Sequence, residues 1–190
     1  MRVINLKRVK GITLIELMIV IAIAAILISI AAPNLTASIQ NNRMVTQVNE
    51  LHAALSLART EAVKRNGDIT ICSSSNGSSC SDTGAWEDGW IVFVDNDSDG
   101  IVDDGEDILR VHGALRGSNS LAFSQTFVTY INSGLASDGL NSTFTLCDSR
   151  GAASAMGLVI GSSGRARLAT DSDENGTLED RDGTDLECSS

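Results

Sequence analysis

A run of acidic residues between two apolar segments has the spacing of a calcium-binding loop. Carboxylates stand at the first, third, fifth, ninth and twelfth places, and glycine stands at the sixth, where the chain must turn sharply. Calcium takes about six to eight oxygen ligands. The candidate ligands are Asp95, Asp97, Asp99, Ile101, Asp103 and Glu106. Aspartate and glycine also build ordinary solvated turns, and the flanking segments look like strands rather than helices, so both interpretations stay open.

A second acidic stretch, residues 171–182, repeats this spacing less faithfully. Asp171, Asp173 and Glu179 fit the pattern, but an aspartate, Asp182, replaces glutamate at the twelfth place. The stretch lies in a polar C-terminal region where a flexible solvated segment is expected. An ordinary turn is therefore favoured here over a second calcium site.

The N-terminus joins a basic leader, a glycine and a long apolar run that contains one carboxylate. The leader cations are Arg2, Lys7, Arg8 and Lys10. After Gly11 come about 20 mostly apolar residues, enough to cross a bilayer as a helix. Glu16 lies near the start, where a charge costs roughly 2.5–3.5 kcal/mol on insertion scales, so a functional partner is expected. The cations predict a cytoplasmic N-terminus and a single pass through the inner membrane.

This arrangement resembles the leader and first helix of type IV prepilins and of the pseudopilins of type II secretion. In that family a prepilin peptidase cuts after the glycine and N-methylates the new first residue. The resemblance implies a leader of residues 1–11, cleavage between Gly11 and Ile12, methylation of Ile12, and a role for Glu16 in filament assembly. Glu16 would lie about 6 Å along the helix from the cationic amine of Ile12. The carboxylate of one subunit could then pair with the amine of its neighbour and offset the burial cost of both charges.

Three simpler interpretations of the same segment explain less. A secretory signal peptide cut near residues 29–32 would leave Pro33 first and gives Glu16 no place. A plain membrane anchor explains neither Gly11 nor Glu16. A buried helix of a soluble protein is disfavoured because the run is too long and too evenly apolar.

One long helix and a β-rich region must position these residues. Residues 12–32 form the predicted transmembrane helix, and residues 33–66 form its amphipathic continuation, with a kink expected at Pro33. Apolar residues recur at every third or fourth position of this second half: Met44, Val48, Leu51, Leu55, Ala58 and Ala62. The helix is predicted to end near Arg65, just before Gly67.

Beyond Gly67 the pattern predicts short strands between clusters of glycine, serine and aspartate. The predicted strands are Ile69–Cys72, Trp90–Val94, Ile108–Val111, Phe127–Ile131, Phe144–Cys147, Leu158–Ile160 and Arg165–Leu168. The fold class is therefore α+β of the type IV pilin-like kind, with the helix packed on an antiparallel sheet. Residues 67–190 would form a periplasmic globular domain.

The four cysteines all lie in the part predicted to be exported, where thiols oxidise to disulfides. Four cysteines allow three pairings. The favoured pairing joins Cys72 to Cys80 and Cys147 to Cys188. The second bond would close a loop of about 40 residues, for which chain-entropy models give roughly 4 kcal/mol.

Two further segments narrow the resemblance within the pilin superfamily. Residues 57–65, followed by a strand ending at Cys72, are similar to the helix end of the GspH/FimT group, and residues 89–95 with the acidic loop to Glu106 are similar to its next segment. The resemblance covers roughly residues 7–111. The group includes minor pseudopilins of type II secretion and minor pilins of type IV pili. It implies a structural subunit near the filament tip that primes assembly, with other pilin or pseudopilin subunits as partners.

An arginine pair offers a different function. Arg165 and Arg167 would project from one face of a strand and could contact two phosphates. Some FimT-type pilins bind DNA through a Gly-Arg-x-Arg segment, and residues 164–167 match it. Against this, eight acidic residues follow between 171 and 187, where the single cation is Arg181, and their field would repel a polyanion. Paired arginines on a strand also commonly make cross-strand ion pairs.

No catalytic motif is found, so the chain is not expected to be an enzyme. Neither His52 nor His112 lies in a nucleophile motif, and phosphate-loop and zinc signatures are missing from the sequence. No cofactor other than calcium is a candidate. The main prediction is a filament subunit, and the alternatives are a DNA receptor for uptake and a membrane-tethered calcium module.

Overall fold

The computed structural model describes residues 12–137 and 140–188, with the side chains of residues 30–34 excepted. The predicted leader, Gly11 included, lies outside the described residues, and so do the side chains of residues 30–32 at the end of the predicted transmembrane helix. The chain divides into two compact units at Asn41 and Asn42.

The first unit is helical, and a threonine side chain caps the N-terminus of its helix. Helix α1 spans Leu14–Arg65. The hydroxyl of Thr13 accepts a hydrogen bond from the backbone N–H of Glu16 at 3.3 Å, which satisfies one of the free donors at the helix start. α1 continues through Pro33, the position of the expected kink. Within the described residues, no helix combines the length and the hydropathy that crossing a membrane requires.

In the second unit, α1 carries the predicted apolar stripe into the core. Every residue of that stripe is at most 3% exposed, which confirms the helical periodicity read from the sequence. The helix ends as predicted at Arg65, where Gly67 N–H donates to the Ala62 carbonyl. Asn66, rather than glycine, takes the left-handed conformation, with φ 53°. This is the Schellman arrangement with asparagine at its strained position.

In the described residues after the helix, eight antiparallel strands form two sheets. The strands are β1 (Ile69–Ser73), β2 (Trp90–Val94), β3 (Ile108–His112), β4 (Ser120–Ala122), β5 (Phe127–Tyr130), β6 (Ser142–Cys147), β7 (Met156–Ile160) and β8 (Ala166–Leu168). The first sheet has the order β3-β2-β1-β5, and the second has the order β4-β6-β7-β8. Short 3-10 turns lie at Trp86–Asp88 and Ala152–Ser154.

The strand predictions hold for seven of the eight described strands, with ends that differ by at most two residues. The sequence missed β4, whose Leu121 is its one buried residue. The strands divide between two sheets, a division that the sequence did not predict, and both sheets contribute residues to one core with the α1 stripe. The reason is that strand order depends on pairings between distant segments, such as β1 with β5, which local patterns do not encode.

Polar contacts tie α1 to both sheets. Glu50 accepts a hydrogen bond from His112 at the end of β3, with 3.0 Å between Oε2 and Nε2. On the other side, His52 Nε2 lies 3.2 Å from the carbonyl oxygen of Ala166 in β8. The amphipathic half of the helix therefore makes polar contacts with both sheets.

Candidate functional sites

The predicted processing and assembly residues lie at the start of α1. Ile12 is 75% exposed. Glu16 is exposed as well, and its carboxylate makes no hydrogen bond or ion pair within the described part of the chain. A charged group placed in this way can pair with a group from another molecule.

The helix around Glu16 presents an apolar surface on all sides. Leucine, isoleucine, valine and methionine side chains between residues 14 and 28 are each more than half exposed: Leu14, Ile15, Leu17, Met18, Ile19, Val20, Ile21, Ile23, Ile26, Leu27 and Ile28. A soluble helix normally shows one apolar stripe and one polar face. An uncovered surface of this kind marks a contact with lipid or with other protein.

The loop between β2 and β3, residues 95–107, brings the predicted calcium ligands close together. One oxygen each from Asp95, Asp97 and Glu106 lie within 4.8 Å of one another, and the same holds for Asp97, Asp99 and Asp103. Ile101 is on the same loop, and its N–H donates to Asp99 Oδ1 at 2.8 Å. Gly100, at the sixth place, has φ +77°, and a Cβ there would meet the Phe127 ring at 2.9 Å. Glycine is therefore required at this turn on both grounds.

The carboxylates of this loop are not equivalent. Asp95 is fully buried, whereas Asp97, Asp99 and Asp103 are exposed. Burial raises the pKa of Asp95 above its ordinary value, although hydrogen bonds from Thr70 and Gly100 act in the opposite direction. The nearby charge of Asp99 is the largest cause that raises the pKa of Asp103. The loop thus concentrates negative charge, and none of its carboxylates forms a salt bridge with a residue that the structure describes.

The second acidic stretch, residues 171–182, has a different internal arrangement. Asp171, Asp173 and Glu179 again place one oxygen each within 4.8 Å. Glu179, however, already accepts hydrogen bonds from the Ser172 N–H, the Ser172 hydroxyl and the Asp173 N–H. The bonds from Ser172 are the largest cause of a lowered pKa of Glu179. The protein itself satisfies this carboxylate.

The structure contains the two disulfides that the sequence favoured. Cys72 is bonded to Cys80, eight residues away, and Cys147 is bonded to Cys188, 41 residues away. The second bond ties the C-terminal segment to β6, where Ala155, Val159, Ala169 and Leu186 form a separate core cluster around it.

The two predicted DNA-contacting arginines lie in different surroundings. Arg165 precedes β8 and lines a cleft of about 160 Å³ beside α1, whereas Arg167 lies within β8 and does not line it. Both are exposed, and neither forms a salt bridge with a residue that the structure describes. The cross-strand ion pair considered from the sequence is therefore not seen in this part of the chain.

The same cleft contains two residues that sequence reasoning missed. Arg59 of α1 lines it and donates from Nε to the Gly134 carbonyl at 2.8 Å. Tyr130 of β5 also lines it, is fully buried, and has no described hydrogen-bond partner for its hydroxyl. They lie about 105 and 35 residues from Arg165 in the chain, so local sequence patterns did not predict that they would line the same cleft.

Comparison with known families finds two matches. Residues 47–164 match the family described as type II transport protein GspH. Residues 6–32 match the prokaryotic N-terminal methylation motif. No curated protein matches the sequence.

Two solved structures of a type IV minor pilin share the fold, and a third structure was also matched. The type IV minor pilin FimU of Pseudomonas aeruginosa strain PAO1, in space group P21, is 23% identical, with a TM-score of 0.55 over 69% of this chain and 91% of FimU. The same protein in space group P65 gives 22% identity and a TM-score of 0.50 over 64% and 89%. The minor pseudopilin EpsH of the Vibrio cholerae type 2 secretion system is 12% identical, with a TM-score of 0.46 over 66% and 95%.

Proposed function

Because this chain belongs to the family of type II transport protein GspH, we propose that it works as a structural subunit of an extracytoplasmic filament. It is a minor pilin or pseudopilin, of either a type IV pilus or a type II secretion pseudopilus. Family and fold are those of structural pilin subunits rather than of known enzymes.

The observation that carries this proposal is the exposed apolar surface of α1 between residues 14 and 28. Exposing such a surface to water costs a free energy of roughly 25 cal/mol per Å² of apolar area. In the proposed filament, the helices of neighbouring subunits cover it. Before assembly, the inner membrane covers it and anchors the precursor, as the methylation motif over residues 6–32 supports.

Processing and assembly are linked through the two charges at the mature N-terminus. A prepilin peptidase cuts between Gly11 and Ile12 and methylates the Ile12 amine, which stays cationic. Glu16, exposed and without a described partner, pairs with the amine of the adjacent subunit. Each charge reduces the cost of burying the other in the filament core, so the pair sets the axial register between subunits.

The test is incorporation of a Glu16→Gln variant into filaments in the native host. Sheared filaments, or pseudopili produced by overexpressing the major subunit, are probed with antibody against the second unit. We expect wild-type protein in the filament fraction and Glu16→Gln only in the membrane fraction. Asp82→Asn is the matched control: it neutralises an exposed carboxylate of the second unit and should incorporate normally. Equal incorporation of Glu16→Gln would refute the assembly role.

A tip position that primes filament assembly is the finer form of this proposal. It predicts that deleting the gene lowers the number of filaments more than their length. It also predicts that gold-labelled antibody marks filament ends. Labelling spread evenly along the filament would contradict it.

A second candidate function, DNA binding during uptake, has one observation in its favour. Arg165 and Arg167 are exposed and have no described salt-bridge partner, and Arg59 lies beside Arg165. The acidic character of the chain, with 24 acidic and 14 basic residues, opposes this function. Salt-sensitive DNA binding by the full chain should be lost when Arg165 and Arg167 are both changed to Gln. The same change at Arg110, an exposed arginine of β3, is the control, and no binding by the wild type at low salt would dismiss this candidate.

A further inference from the structure

Asp95 is a buried carboxylate with one oxygen left unpaired. Its Oδ2 accepts hydrogen bonds from the Thr70 hydroxyl at 2.6 Å and from the Gly100 N–H at 3.2 Å. Its Oδ1 is buried and has no hydrogen-bond partner within the described residues. A buried carboxylate oxygen without a partner is costly, and such atoms in native proteins commonly mark an ion or a water.

A chain of buried hydroxyls fixes the orientation of this carboxylate. Thr70 lies on β1 and its hydroxyl is 2.6 Å from that of Thr129 on β5. An ionised carboxylate can only accept, so Thr70 donates its single proton to Asp95 and accepts from Thr129. Both threonines are buried on strands paired with each other. Oδ2 is therefore held in place, while Oδ1 has no hydrogen-bond partner among the described residues.

The groups near Asp95 are further carboxylates. Asp97 and Glu106 each bring an oxygen within 4.8 Å of it. The Asn96 and Asp103 N–H groups donate to the two oxygens of Glu106, at 2.7 and 3.1 Å, and so hold that side chain across the loop. In the described part of the chain, no lysine, arginine or histidine forms a salt bridge with any carboxylate of residues 95–107.

We propose that the loop of residues 95–107 binds one Ca²⁺ ion, with the free Oδ1 of Asp95 as its buried ligand and with Asp97, Asp99 and Glu106 as carboxylate ligands. All the ligand atoms are oxygens, which both Ca²⁺ and Mg²⁺ accept. Because Mg²⁺ requires six ligands in a near-ideal octahedron whereas Ca²⁺ accepts six to eight in a flexible geometry, a loop of this kind favours calcium. The Ile101 carbonyl lies at the place that supplies a backbone ligand in loops of this spacing.

The second acidic stretch does not share this feature. Glu179 is its buried carboxylate, and both of its oxygens accept hydrogen bonds from Ser172 or Asp173. No buried oxygen there is left for an ion among the described residues. The proposal is therefore confined to the first loop, although both stretches look alike in sequence.

The bound ion would fix the β2–β3 loop to the end of α1. Asp95 N–H donates to the Asp68 carbonyl at 3.0 Å, and the Ser98 hydroxyl donates to the Asp68 carboxylate at 2.7 Å. Asp68 lies in the turn between α1 and β1. Calcium would thus stabilise the junction between the helix and the first sheet.

The experiment is a calorimetric titration of the full chain in detergent with Ca²⁺. Bound metal is first removed with EDTA, and the EDTA is then removed before the titration. We expect one Ca²⁺ per chain, a higher thermal midpoint with calcium, and neither effect with MgCl₂ at the same concentration. Asp97→Asn should weaken calcium binding about tenfold or more, because affinity follows ligand charge. Asp173→Asn, at the third place of the second stretch, is the matched control and should bind as the wild type does.

Three results would overturn the proposal. The first is no calcium binding by the wild type up to about 10 mM, a concentration well above the range of extracellular sites. The second is unchanged binding by Asp97→Asn, and the third is loss of binding in Asp173→Asn instead. Asp97 is exposed, so its replacement should leave folding intact, and tryptophan fluorescence checks this. Asp95→Asn serves as a second variant and should also weaken binding.

Discussion

Removing the Cys147–Cys188 disulfide should destabilise the second unit more than removing the Cys72–Cys80 disulfide. The bonded cysteines are 41 residues apart in the first case and eight in the second. In the chain-entropy model, the stabilisation grows with the logarithm of the closed loop and amounts to about 4 and about 2.5 kcal/mol. A difference of about 1.5 kcal/mol is measurable against a domain stability of about 5–15 kcal/mol.

Packing should widen this difference. Cys147 and Cys188 lie in a core cluster that depends on the C-terminal segment folding back, with Leu186 buried beside them. Backbone bonds such as Leu186 N–H to the Leu178 carbonyl hold this segment. Cys72, in contrast, lies on β1, which pairs with strands on both sides. Its surroundings stay in place when the bond is lost.

The assay is urea unfolding of the full chain in a constant detergent, followed by tryptophan fluorescence. Both tryptophans, Trp86 and Trp90, are fully buried in the second unit, so the signal reports the unfolding of that unit. Each disulfide is replaced by an alanine pair, which makes the loss of sulfur atoms the same in the two variants. If the Cys72→Ala, Cys80→Ala pair costs as much as Cys147→Ala, Cys188→Ala, or more, the loop-closure reasoning is wrong.

Two further predictions concern buried and paired groups. Tyr130→Phe removes a buried hydroxyl without a described partner, so it should leave stability unchanged or raise it by about 1 kcal/mol, and a loss in urea unfolding would reveal a partner in solution. Hydrogen bonds from Arg150 are the largest cause of the lowered pKa of Asp148. They therefore stabilise the folded state above the unfolded pKa of about 3.9, and this stabilisation is lost as pH falls through the folded pKa. Asp148→Asn should therefore lower the thermal midpoint at pH 7, and the deficit should shrink below about pH 4. A deficit that does not change with pH would contradict this.

Local pattern was enough to predict the helix. The residues from Met44 to Ala62 are buried as their spacing predicts, because helical periodicity links positions only three or four apart. The end at Arg65 was also predictable, since capping depends on adjacent residues. The left-handed residue was not, because asparagine and glycine both fit that conformation and stand next to each other at 66 and 67.

The candidate sites were predictable as sets of residues but not as geometry. Spacing alone put six ligand candidates in one loop and gave a similar pattern at residues 171–182. The structure separates them, because Asp95 is buried against Thr70 of the neighbouring strand, whereas Glu179 is satisfied by its own loop. Burial and pairing come from strands distant in sequence, which spacing does not contain.

By itself, the sequence determined the apolar N-terminal helix with Glu16, the amphipathic stripe and most strands. These features follow from periodicity, charge and composition, which act over a few residues or over the whole chain. Only the tertiary structure decided that the strands form two sheets, that Arg59 and Tyr130 line the same cleft as Arg165, and that Asp95 is the one buried carboxylate of its loop. Those outcomes depend on contacts between segments far apart in the chain, whose free energies are settled together when the core forms.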